Sequence, residues 1–184
     1  MAAKSNLVNM VLSLTVVCLV CSALLGGVYA MTSGPIAEAQ AAKTAASIAR
    51  VLPAFSVQPE QKEVDVDGTA YTYYDVPGSG VAVLSTVTGF GGPLSLMVGI
   101  DNEGKVVNTV VLSHSETPGL GAKCTTDAAF IDQFKGFDPA AQRLAVRKDG
   151  GDVDAITAST ITSRAYAAAV EQAYNVYLKL QGNE

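Results

Sequence analysis

Between Lys4 and Glu38 the chain carries no charged residue, and within that gap Leu7 to Ala30 (LVNMVLSLTVVCLVCSALLGGVYA) is almost wholly apolar. No other feature restricts the fold as strongly. As a helix this run extends about 36 Å, enough to cross a hydrocarbon core of about 30 Å with some tilt. A cleavable signal peptide is the competing reading, because Val28-Tyr29-Ala30 resembles a small-x-small cleavage site. The apolar core of such a peptide usually spans only about 7–15 residues, so length favours a retained anchor. Neither Cys18 nor Cys21 follows the small residue that a lipid-attachment signal needs. Lys4 precedes the span and a neutral stretch follows it. The positive-inside bias then puts the N-terminus in the cytoplasm and everything after Met31 outside.

Apart from Lys4, all charged residues follow the span: eleven basic against seventeen acidic. That acidic balance argues against nucleic-acid binding, which relies on a basic surface. Cys124 is the only cysteine after the span, which excludes a disulfide within that region. Cys18 and Cys21 have redox-motif spacing, but inside an apolar span they read as small filler. One histidine in the chain argues against a conventional His/Cys metal site.

Thr32 or Ser33 is expected to cap a helix that starts with Pro35 and runs to Leu52, with Pro53 as its stop. The organisation that follows is an anchor over residues 1–31, a stalk helix over 32–53 and a domain over 54–184. In the domain, Glu63–Val66, Asp67-Gly68 and Thr69–Tyr74 predict a tight hairpin with a type I′ turn. Val81–Thr88, Leu94–Ile100 and Lys105–Ser113 read as further strands of an antiparallel meander of about five. A short helix near Thr126–Phe134, a short strand near Leu144–Arg147 and a terminal helix over Arg164–Leu180 complete an α+β fold.

Two segments carry the chemistry. Five of the seven positions from Thr157 to Ser163 bear a hydroxyl, directly before a helix. One hydroxyl suffices to cap a helix. Five of them, gathered where unpaired N–H groups and the positive dipole end lie, suit an anion site. The second segment is His114–Lys123, in which Pro118 fixes one backbone angle while Gly119 and Gly121 free others. Such a loop can bring backbone close to a flat ligand, or can simply connect a strand to a helix. A lone histidine at a strand end gives no ground for a catalytic role for His114. No Gly-rich dinucleotide fingerprint follows a strand, so no nicotinamide site is expected.

Together these segments resemble the G subunit of Rnf-type ion-translocating electron transport complexes, a family built on an FMN-binding domain. The resemblance runs from Thr32 and Pro35-Ile36 through Gly89-Phe90-Gly91-Gly92, Met97–Asp101 and Glu116-Thr-Pro-Gly-Leu-Gly121 to Asp154–Ser163. It implies FMN joined through its phosphate to a threonine, here Thr160 in Thr157-Ala158-Ser159-Thr160, with Ser159 as the alternative. Gly and Ala are the commoner middle residues of that motif. Thr157, Ala158, Ser159 and Ile161 would flank the phosphate, and helix-start physics adds Thr162, Ser163 and Arg164 as further donors. The loop Glu116, Thr117, Gly119, Leu120 and Gly121 is the candidate for the flavin ring, because its glycines let the backbone approach a planar face. A flavin transferase using FAD and Mg²⁺ would install the cofactor and read Asp154 as part of its recognition motif. The expected role is an electron-transfer subunit, not a complete catalyst, in a bacterial inner-membrane complex. That complex would couple ferredoxin:NAD⁺ electron transfer to Na⁺ or H⁺ movement through its other subunits. The alternatives are the C subunit of the Na⁺-translocating NADH:quinone reductase and a membrane-tethered binding module without redox function.

Overall fold

A computed structural model describes residues 7–52, 59–66 and 68–182. Lys4, Pro53 and Asp67, on which the sequence reading drew, lie outside them. The chain forms two compact units, Met1–Thr44 and Ala45–Glu184.

The first element, α1, runs unbroken over Leu7–Val51 with Pro35 inside it. The expected start at Pro35 is therefore corrected. Thr32 does not cap; its Oγ1 donates to Val28 O at 2.8 Å, one turn back along the same helix. The residue before a proline normally resists helical geometry because its Cβ meets the ring, and here that residue is Gly34, which has none. The apolar part of α1 is long enough to cross a membrane, and none of it is buried.

The second unit is a five-stranded antiparallel meander in the order β1-β2-β3-β4-β5. The strands are β1 (Glu60–Val66), β2 (Thr69–Val76), β3 (Gly80–Thr88), β4 (Pro93–Ile100) and β5 (Val106–His114). Val66 pairs with Thr69, leaving the expected two-residue turn, where Gly68 has φ 80° and its N–H is held by Asp65 Oδ1. The alternation of β4 decides the layers. Leu94, Leu96, Val98 and Ile100 point to one core and Met97 to another, all fully buried.

The larger core lies beneath α3 (Thr160–Leu180), whose Ala165, Ala169 and Ala173 let the helix approach β3 and β4 closely. The smaller core takes the last turns of α1: Ile48, Val51 and Leu52 pack on Val76, Ala82, Met97 and Val110. Gly99 lies against the Val51 carbonyl, where a Cβ would have no room. The C-terminal part of the expected stalk is thus core of the second unit.

Between β5 and α3 stand a 3-10 turn at Gly121–Thr125 and the short α2 (Ala128–Asp132), capped by Asp127, which accepts from Ala129 N. Phe130, Phe134 and Tyr166 close the core edge-on and tilted, with ring centroids 4.8–5.5 Å apart. The strand expected near Leu144–Arg147 is absent. Only Val146 forms an isolated bridge, to Val153, and a 3-10 turn follows at Arg147–Asp149. The turn through Gly150 (φ 77°) and Gly151, packed on the Ala145 backbone, is too tight to pair more residues.

Candidate functional site

The hydroxyl cluster opens α3 four residues earlier than expected, so Thr160 is its first residue and Ser159 its N-cap. Ser159 is a cap in position only. Its side chain bonds to no helix N–H, and its Oγ is buried without a partner. The first-turn N–H groups, which have no intrahelical acceptor, therefore keep their capacity for an anion. Just before it, Ala158 stands at φ 61°, the left-handed region that costs a residue with a Cβ about 1 kcal/mol or more. Glycine would adopt this geometry without that cost. An unsatisfied buried hydroxyl next to a strained backbone is what a ligand site retains and a purely structural cap does not.

Glu116 builds the opposite wall. It is 5% exposed; its Oε1 accepts from Phe90 N and its Oε2 from Thr162 Oγ1, both at 2.8 Å. The carboxylate thereby joins three distant pieces of chain: the β3–β4 turn, the loop after β5 and the first turn of α3. Gly89 and Gly121 make this possible, because a Cβ at either would collide with the carboxylate. His114 serves the loop, its Nδ1 accepting from Glu116 N at 3.2 Å. The Glu116 charge reaches Cys124, whose thiol is pushed up to about 11, chiefly by burial and next by that carboxylate.

These walls enclose a cavity of about 350 Å³, lined by Phe90, Glu116, Thr117, Leu120, Gly121 and the run Ala158–Thr162. Its size falls within the range of small-ligand sites. Among the described residues of the second unit, the exposed large apolar side chains are Phe90 (67%), Leu120 (44%) and Ile161 (50%), and all three line this cavity. One side is thus polar and helix-capped, and the rim is apolar.

The structure gathers most, but not all, of the residues expected here. Thr160, Ser159, Ala158, Ile161, Thr162, Glu116, Thr117, Leu120 and Gly121 surround the cavity; Thr157, Gly119 and Ser163 are not in its lining. Ser163 is corrected in role: fully buried, it accepts from Ile156 N and donates to Ser159 O, so its hydroxyl is already used in bracing the loop. Thr162 spends its proton on Glu116. Arg164 is likewise committed, to a two-pronged pair with Asp149 at 2.6 and 2.8 Å that lowers the Asp149 pKa.

Asp154 has an exposed side chain 2.9 Å from Arg147 Nε. Its backbone is clamped by Gln133, which accepts from Asp154 N and donates to Asp154 O. Sequence reasoning missed Gln133 and the part played by Phe90. The one hint to Phe90 was a large apolar residue isolated among glycines.

A planar, mostly apolar ring carrying a phosphate fits such a site: anion donors and an orphan hydroxyl on one side, exposed apolar side chains on the other. The FMN-binding domain family matches residues 89–175, from the turn beneath Phe90 into α3. The second unit therefore contains an FMN-binding domain.

The chain is 34% identical to the G subunit of the proton-translocating ferredoxin:NAD(+) oxidoreductase complex of Clostridium ljungdahlii, over 88% of this chain and 86% of that protein. It is 31% identical to the G subunit of the ion-translocating oxidoreductase complex of Cereibacter sphaeroides, over 79% and 73%. The solved C subunit of the Na(+)-translocating NADH-quinone reductase from Parabacteroides distasonis superposes with TM-score 0.48 at 22% identity, covering 62% of this chain and 64% of that one. The chain belongs to the G-subunit family of Rnf-type ion-translocating oxidoreductase complexes. It is an electron-transfer subunit of such a complex, which requires other subunits to act.

Proposed function

We propose that Thr160 holds FMN through a phosphoester, making the second unit a tethered one-electron carrier. The observation that carries this reading is the first turn of α3. Half-buried Thr160 lines the cavity beside the unpartnered Ser159 Oγ, at a helix start that Ser159 does not cap. A phosphodiester there keeps one negative charge, which the first-turn N–H groups and the helix dipole stabilise. In attachment the Thr160 oxygen bonds to the FMN phosphorus of FAD, the FAD pyrophosphate bond breaks, AMP leaves and the hydroxyl proton is released. Ser159, in this reading, donates its free O–H to the phosphate that remains. Phe90, Leu120 and Ile161 shield the ring from water. When bound, the flavin supplies the electron transfer, while the protein fixes its position and surroundings.

Attachment is made by a transferase that takes FMN from FAD with Mg²⁺ and recognises the segment from Asp154, whose exposed carboxylate supports an external reader. Residues 1–31 anchor the chain in the bacterial inner membrane, residues 32–44 form the stalk, and the unit from Ala45 onward lies outside the cytoplasm. The complex passes electrons between ferredoxin and NAD⁺ and moves H⁺ or Na⁺ through partner subunits. A single span with no charge inside it gives an ion no path of its own.

Intact and peptide mass spectrometry of protein from native membranes tests the reading. The expected result is an added FMN phosphoryl mass on the peptide containing Thr160, and residues 1–30 still present. Thr160→Ala should lose the added mass completely; a fully flavinylated Thr160→Ala protein sinks the assignment.

A further inference from the structure

Glu116 puts a negative charge into the wall of an anion site. A carboxylate beside the first turn of α3 competes with a phosphate for the same helix dipole, so a cradle made only for phosphate would avoid it. The surrounding chain nevertheless accommodates this side chain closely. Both oxygens receive donors, and Gly89 and Gly121 lack the Cβ that would displace it. Spacing alone does not require glutamate. Glutamine has the same shape, can accept from Phe90 N through its oxygen, and can present its amide to Thr162 Oγ1, which is also an acceptor. What glutamate adds is charge. None of the ion pairs among the described residues involves Glu116. It is also shielded from water, which leaves that charge weakly screened.

We propose that Glu116 is a potential-setting residue. Its charge, fixed by Phe90 N and Thr162 Oγ1 in the cavity wall, holds the flavin of this site toward its oxidised form. The inference rests on the flavin reading given above. An electron delivered by the donor subunit adds negative charge to the cavity and leaves again to the acceptor subunit. Glu116 itself takes up no electron. It opposes the arriving charge by Coulomb repulsion across a medium less polar than water. The site thereby becomes a stronger reductant toward the next carrier. Thr162 is the positioning residue, because its hydroxyl orients Oε2 and offsets part of the charge.

The test is a spectroelectrochemical titration of the flavin-loaded full chain, wild type against Glu116→Gln, with flavin content followed by intact mass. Glu116→Gln should shift the equilibrium about tenfold toward the reduced flavin, about 59 mV for one electron. In the flavin-free protein the Phe90 amide should keep its protection from hydrogen exchange, which separates loss of charge from loss of spacing. Thr162→Val gives the opposite sign: with its donor gone, the charge is less offset and the equilibrium moves toward the oxidised flavin. It serves as the test if Glu116→Gln does not fold. A potential unchanged within twofold at full flavin content, in whichever variant folds, overturns the proposal. A flavin-free wild-type protein from cells that make the transferase overturns the underlying reading of the site, and is seen in the mass rather than in the potential.

Discussion

The first turn of α3 and the turns that follow it share one helix and obey different rules. Along the body, Ala165, Tyr166, Ala169, Val170, Ala173, Val176 and Tyr177 are buried on one face. The Tyr166 phenol is satisfied by Thr109 at 2.7 Å. At the tip, Ala158 is strained, Ser159 Oγ is buried without a partner, Thr162 is tied to Glu116, and Ile161 faces solvent. The body is what burial and close packing favour. The tip departs from those preferences in several ways at once, and such departures cluster where a protein holds a ligand.

Substitutions at the tip and in the body should therefore act differently. The largest effect expected at the tip is on chemistry alone: Thr160→Ala removes all bound flavin by mass, while its thermal midpoint without flavin stays that of wild type. In the body the reverse holds. Ala169→Leu forces a larger side chain into a position with no exposure and should destabilise the domain by about 2–3 kcal/mol in denaturant titration. A tip substitution that unfolded the domain, or an Ala169→Leu change without cost, would erase the distinction.

The core beside the tip makes an alkaline prediction. The Cys124 thiol is raised from 9.0 to about 11, and burial raises the Tyr166 phenol as well. Both groups stay protonated in the fold while the unfolded chain ionises, so the unfolded state binds fewer protons there. Stability is therefore intact below about pH 9 and falls as pH rises toward 11, by roughly 2 kcal/mol for Cys124. Denaturation midpoints across that range check it, and Cys124→Ala should flatten the slope.

The smallest effect is also the sharpest. Replacing an ordinary Ser N-cap by Ala costs about 1 kcal/mol. Here Ser159 makes no cap bond, so Ser159→Ala should stabilise the flavin-free domain by about 1 kcal/mol, because it removes a buried unpaired hydroxyl. A loss of stability would restore Ser159 to a plain cap.

Much of the fold was legible because its signals are local. Period-two alternation and turn residues marked β3, β4 and β5 nearly to the residue, and Asp67-Gly68 marked the first hairpin. Where the reading erred, a neighbour outweighed the local preference. Gly34 lets α1 pass through Pro35. The hydroxyl-rich residues 160–163, poor helix formers by themselves, are drawn into α3 by Glu116 and by the Ser163 bonds to Ile156 and Ser159. Leu144–Arg147 has strand-like composition but gains only the Val146–Val153 bridge.

The membrane-length apolar run, the five-stranded meander, and the concentration of hydroxyls and glycines in two segments follow from the order of residues alone. These are properties of composition and period, which a chain carries without folding. Which hydroxyls remain free depends on packing between distant segments. Ser163 is taken by its own loop and Thr162 by Glu116, 46 positions earlier in the chain. Ser159 is left buried and unpaired, with Thr160 beside it on the cavity wall. Sequence spacing cannot show which of several hydroxyls already has a partner, because hydrogen bonds are made between atoms that only folding brings together.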